Sequence, residues 1–168
     1  MLWLTSTFLR LGWTVALVTF ALDQAHKWWM LLGYRIAEKG RVALTPFLDL
    51  VFVKNLGVSY SMFATDDKRS QYLLSGFAVL AVAGLSIWLV RGAMNGLLAI
   101  SIGLIMGGAL GNALDRLLLG GVADFFSLHA YGYYWYVFNI ADVAIVAGVI
   151  GLLYDSFGPN RGAATKST

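Results

Sequence analysis

The chain has 168 residues, 59% of them hydrophobic and only 12% charged, and its formal net charge is +3. Mean hydropathy is +0.72. Soluble domains carry roughly 25% charged residues, so this composition argues against a soluble globular enzyme and rules out a disordered chain. It also contains no cysteine, two histidines and no run of five basic residues, which removes disulfides, thiolate chemistry and thiolate zinc sites and leaves no nucleic-acid footprint.

A membrane helix needs about 20 mostly apolar residues. Four stretches qualify, at about residues 11–32, 72–90, 97–119 and 137–157. The first ends in Asp23, Gln24, His26 and Lys27 with no small-residue cleavage pattern before them, so it is predicted to be a retained helix rather than a leader. The connection 33–71 holds a β-rich run, Leu50 to Val53, after a turn at Pro46, and predicts a small sheet on the membrane surface. A short turn, 91–96, joins the second and third spans. Gly120 and Gly121 end the third. The following stretch is crowded with Phe125, Phe126, Tyr131, Tyr133, Tyr134, Trp135 and Tyr136, residues that favour the headgroup interface. The tail from Gly158 is rich in small and polar residues and is expected to fray. The chain therefore predicts one domain, an all-α membrane protein of four transmembrane helices with a small β-sheet on one face.

Four spans place both termini on one side and both long connections on the other. Charge counting favours the connection side as cytoplasmic only weakly, since Arg35, Lys39, Arg41, Lys54, Lys68 and Arg69 there stand against Arg10, Arg91, Arg161 and Lys166 on the terminal side and are partly offset by Glu38, Asp49, Asp66 and Asp67, so the count leaves orientation open.

Charged groups at membrane depth cost about 2.5 kcal/mol or more each, so those present call for a reason. Asp23 and Lys27 stand four apart, acid first, the favourable order for a helical ion pair; this pair either locks the end of the first span or supports a site. Gly103, Gly107 and Gly111 repeat every four residues, a packing stripe for close helix approach. Beside it lie Gly108, Asn112, Asp115 and Arg116, an asparagine and an ion pair that serve either as interhelical glue or as site residues.

Asp124 and Asp142, 18 residues apart, flank a connection that leaves and re-enters the same membrane face. Two carboxylates meeting there beside an apolar wall share a proton and titrate as a unit, the chemistry of an aspartic protease. The competing reading makes Asp142 a helix cap and Asp124 an ordinary loop acid.

These residues resemble a known family. Gly111-Asn112-Ala113-Leu114-Asp115-Arg116, then Gly121-Val122-Ala123-Asp124-Phe125, then Phe138-Asn139-Ile140-Ala141-Asp142 look like the signature of the lipoprotein signal peptidases, or signal peptidase II. Asp23-Gln24-Ala25-His26-Lys27 resembles the family's first-helix motif, and Asn55-Leu56-Gly57 with the residues around it its loop motif. The resemblance implies a membrane aspartic endopeptidase that cleaves bacterial prolipoproteins just before a diacylglyceryl-modified cysteine. It implies Asp124 and Asp142 as the catalytic pair, Asn55, Gly57, Asn112, Arg116 and Asn139 as orienting residues, and Asp23, Lys27, Gly108, Asp115 and Ala141 as supports. It further implies no cofactor or metal, a monomer in contact with membrane lipids, the family's cyclic-peptide inhibitors as ligands, and an inner-membrane location with cytoplasmic termini and a periplasmic site, against the charge count. Two departures, Val58-Ser59-Tyr60 and Trp135-Tyr136-Val137, bear on substrate and inhibitor fit.

A rival class is a small ion-coupled transporter, since intramembrane Asp, Lys and Arg also mark ion paths. Against it, the charges gather at one face and no inverted repeat is visible. A third class is a scaffold that has lost activity, against which stands the presence of both acids and Asn139.

Overall fold

A computed structural model describes residues 2–57, 68–92 and 95–157. Val58-Ser59-Tyr60 and the tail from Gly158 lie outside them. In chain order the elements are α1 (Leu2–Trp28), a π-helical turn (Trp29–Gly33), α2 (Ile36–Lys39), β1 (Val42–Thr45), β2 (Leu48–Asn55), α3 (Lys68–Gly92), α4 (Gly96–Leu119), β3 (Val122–Ala130), β4 (Tyr133–Phe138) and α5 (Ile140–Phe157).

Among the described residues three helices, spanning Lys68–Arg91, Gly96–Leu119 and Ile140–Phe157, are long and apolar enough to cross a membrane. They cover three of the four predicted stretches. The fourth stretch begins later than expected, because Val137 and Phe138 end strand β4 before α5 starts. α1 covers the remaining stretch, but Arg10, Asp23 and Lys27 interrupt its apolar run.

α4 is the central helix, and its glycines explain how. A Cβ on Gly103 would stand 2.5 Å from the carbonyl oxygen of Gly12, and one on Gly107 equally close to that of Ala16. Gly111 meets the Asp23 carboxylate in the same row. The predicted packing stripe is therefore the α1–α4 seam, where the two backbones touch. On the next face, a Cβ on Gly108 would stand 2.6 Å from the Ala141 carbonyl, so α5 comes equally close. At the end of α4 remote from the sheet, Ala16, Val82, Leu89, Leu98, Ala99, Ile102 and Met106 form a buried apolar cluster from α1, α3 and α4. Asn95 caps α4 by accepting from Leu98 N at 2.8 Å.

The sheet is antiparallel, in the order β1-β2-β3-β4. The run Leu50 to Val53 lies in β2 after the turn at Pro46, as predicted, but half of the strands come from residues 122–138, which composition presented as an interfacial connection. Tyr131 and Gly132 both adopt positive φ, 50° and 82°, the signature of a tight hairpin turn. Tyrosine is an unusual residue for such a turn, and this hid the hairpin. Met30, Ile36, Ala123 and Phe125 form the buried apolar cluster beneath the sheet. On its outer part Asp49 accepts from Arg41 Nη1 at 2.7 Å and lies 3.1 Å from His129 Nε2. The Arg41 bond holds the Asp49 carboxyl below the usual range.

One irregularity positions the site. Leu50 pairs with Phe126, but Val53 pairs with Asp124, so β2 carries an extra residue between them. A bulge reverses the facing of every residue beyond it. Here it turns Asn55 onto the face of the sheet that carries Asp124.

Candidate active site

Asp124 lies in β3, at 1% exposure, and Asp142 in the first turn of α5. Asn139, at 0% exposure, holds both. Its Nδ2 donates to Asp124 Oδ1 at 2.6 Å, its backbone N donates to Asp142 Oδ2 at 3.2 Å, and its Oδ1 accepts from Asp142 N at 3.0 Å. The last two bonds are a reciprocal capping box for α5. The capping reading of Asp142 is thus correct, and the residue it pairs with in the cap, Asn139, is the one that also binds Asp124.

Two more amides complete the setting. Asn55 Nδ2 donates to Asp124 Oδ2 at 3.1 Å, and Asn112 Nδ2 donates to Asp142 Oδ1 at 2.9 Å. Asn112 Oδ1 accepts from Asn139 Nδ2 at 3.2 Å, closing the ring. Burial, and then the neighbouring Asp142 charge, push the Asp124 carboxyl up to about 7.

Beneath lies a second group of acids with a different partner. Lys27, at 1% exposure, places its Nζ 2.8 Å from Asp23 Oδ2, 2.8 Å from Asp115 Oδ2 and 3.0 Å from Asn112 Oδ1. The predicted Asp23–Lys27 pair therefore forms. The expected pairing of Asp115 with Arg116 does not: Asp115 turns to Lys27, and Arg116 donates to the carbonyls of Asn112 at 3.1 Å and Gly57 at 3.2 Å. Each acid of this group also pins a backbone neighbour of the upper pair. Asp23 Oδ1 accepts from Ala141 N at 2.9 Å, next to Asp142, and Asp115 Oδ2 accepts from Ala123 N at 3.1 Å, next to Asp124.

Gly57 N donates to Asn55 Oδ1 at 3.1 Å, so the Asn55 side chain is clamped by its own turn. Every candidate residue named from the sequence falls in this one region. Gln24 was missed. It is 8% exposed and its Nε2 reaches Asp23, the Gly111 carbonyl and Asp115 within 3.2 Å. Only its position between Asp23 and Lys27 hinted at this, since glutamine carries no chemistry of its own.

The site opens into a cleft of about 500 Å³. Asn55, Arg116 and Asp142 line its polar end, and Phe77 of α3 and Ile145 and Val146 of α5 its apolar end. Two carboxylates joined through one asparagine, one of them lining a largely apolar cleft, in a bundle with membrane-length helices, are the arrangement of a membrane hydrolase of the aspartic type.

Comparison with known proteins fixes the family. The family described as signal peptidase (SPase) II matches residues 15–158. A lipoprotein signal peptidase of Rhodopseudomonas palustris (strain TIE-1) is 49% identical over 154 residues, covering 89% of this chain and 93% of that one. One from Methylocella silvestris is 48% identical over 155 residues, covering 92% and 90%. The fold is similar to a solved bacterial membrane enzyme with a TM-score of 0.79 at 24% identity, over 94% of this chain and 93% of that one. The chain belongs to the signal peptidase II family, and it is a membrane-bound aspartic peptidase. None of these matches supports the transporter reading.

Proposed function

We propose that Asp124 and Asp142 are the catalytic pair with which this signal peptidase II family member removes signal peptides from prolipoproteins, cutting just before a diacylglyceryl-modified cysteine. The observation that carries this reading is the setting of the pair: two carboxylates bound by Asn139, Asp124 fully buried, with amides rather than a cation as their other hydrogen-bond partners among the described residues. Such a pair keeps one proton between two acids.

Asp124, whose proton affinity is raised, holds that proton, and Asp142 is the base. Asp142 takes a proton from water as the hydroxide attacks the scissile carbonyl carbon. Asp124 passes its proton to the carbonyl oxygen. The tetrahedral intermediate then collapses, the proton on Asp142 moves to the departing amine, and the proton on oxygen returns to Asp124. Asn55, Gly57, Asn112, Arg116 and Asn139 orient the pair and the substrate backbone, and Asp23, Lys27, Gly108, Asp115 and Ala141 fix the framework beneath.

α1 is the fourth span, its apolar run laid along α4 with Leu17 and Leu22 outward at 68% and 60% exposure. The chain then forms one inner-membrane domain, with its sheet and site on the periplasmic side and a substrate chain lying in the apolar end of the cleft. Replacing Asp124 or Asp142 by Asn and assaying a lipidated prolipoprotein in reconstituted membranes tests the assignment. Loss of turnover in both variants, with the fold intact, is the expected result, and normal turnover in either contradicts it.

A further inference from the structure

Beside the cleft, on the other flank of Arg116, a second pocket of about 320 Å³ opens where α3 begins and α4 ends. Lys54, Lys68 and Arg116 line it, with Gln71, Tyr72 and Leu117, and no carboxylate lines it among the described residues. Two polar atoms of these lining residues are buried with no hydrogen-bond partner among the described residues: Arg116 Nε, a donor, and Gln71 Oε1, an acceptor. Gln71 is only 4% exposed. Buried polar groups in native proteins are normally satisfied, so this pair of atoms asks for a ligand that both accepts and donates. Lys54 has a structural task as well, because its Nζ lies near Gly120 at the C-terminal end of α4, where a cation offsets the helix dipole. That task accounts for neither Lys68 nor the two orphaned atoms.

Leu117 also lines a third depression, of about 350 Å³, which is almost wholly apolar. Leu17 and Phe20 of α1, Val79 of α3 and Leu110 and Leu114 of α4 form it. From Leu117 to Leu110 it follows α4 for seven residues, about 10 Å at 1.5 Å per residue. A cationic pocket at one end of an apolar groove has the shape and charge of one class of molecule.

We infer that this notch binds a membrane phospholipid with an anionic phosphate and a hydroxyl-bearing headgroup. The phosphate sits among Lys54, Lys68 and Arg116 Nε, a headgroup hydroxyl donates to Gln71 Oε1, and one acyl chain lies in the groove below Leu117. The site is separate from the substrate cleft but shares Arg116 with it, so the lipid would hold the guanidinium that supports Gly57.

The test is native mass spectrometry of the full chain in detergent, titrated with phosphatidylglycerol or phosphatidylcholine of equal chain length. Phosphatidylglycerol is expected to be retained at least tenfold better. A cationic side chain near an anionic lipid surface is worth roughly fivefold in binding, so the Lys54→Gln/Lys68→Gln double variant should lose about 25-fold for phosphatidylglycerol and little for phosphatidylcholine. Leu114→Trp, which fills the groove and keeps the charges, should weaken both lipids. Equal retention of the two lipids by the unaltered protein overturns the inference, as does an unchanged preference in the double variant. Displacement of the lipid by millimolar inorganic phosphate alone overturns it too, because the pocket would then be an anion site to which the chain adds nothing.

Discussion

Two pairs of aspartates lie one above the other, and they are solved differently. Asp23 and Asp115 share a cation, Lys27, at 2.8 Å each, and each also accepts from one backbone N–H group. Among the described residues, Asp124 and Asp142 have only amides within hydrogen-bond reach, from Asn55, Asn112 and Asn139. An acid that shares a cation is held in place by it and serves structure. An acid with only neutral hydrogen-bond partners keeps a use for a proton. The sequence contains four similar acids, and the partners separate their roles.

The comparison is sharpest if the two pairs fail in different ways. Asp124→Asn and Asp142→Asn should each lower turnover on the order of 10³-fold or more while leaving the fold intact, because an amide replaces an acid among amides. Circular dichroism and denaturation in micelles alongside the peptidase assay check both halves. Lys27→Met strands two buried carboxylates, a change that typically costs about 3–5 kcal/mol. It should appear as a large drop in stability in the same denaturation measurement, with activity falling as a consequence. A Lys27→Met protein of normal stability would break the distinction.

Asn139→Ala probes the joint between the levels. It removes the cap of α5, worth about 1 kcal/mol, and frees both acids to move. A displacement of the order of 1 Å at a reacting group costs about 10²-fold, so turnover should fall far more than stability does, as paired kinetics and denaturation would show. The smallest expected effect is that of pH. With Asp124 raised to about 7, kcat/KM should decline above that pH by about tenfold per unit as the shared proton is lost. The sign for stability follows from the same shift. The folded state keeps a proton that the unfolded chain releases near 3.8, so the contribution is whole below that value and is lost as pH rises through about 7.

Much of this was legible in the sequence. The helices at 68–92, 96–119 and 140–157 follow from apolar length, and the stripe of Gly103, Gly107 and Gly111 from its spacing. The site residues came from motif resemblance, and geometry then gathered them. Three features were not legible. The hairpin of β3 and β4 was hidden because β4, Tyr133 to Phe138, is aromatic or apolar throughout, without polar alternation, and the turn is built on Tyr131. The partner of Asp115 was misread as its neighbour Arg116, because adjacency in sequence places two side chains on different sides of a helix, whereas Lys27 arrives from α1. The bulge in β2 that brings Asn55 to Asp124 has no residue signature at all.

The central claim is that the upper pair holds one proton and that Asp124 carries it. Infrared difference spectroscopy of the membrane-reconstituted protein, compared with Asp124→Asn, reads that proton from the carbonyl stretch of a protonated carboxyl. One such band should titrate near pH 7 and vanish in the variant. A band that survives Asp124→Asn unchanged, or no protonated carboxyl near neutral pH, would contradict the account.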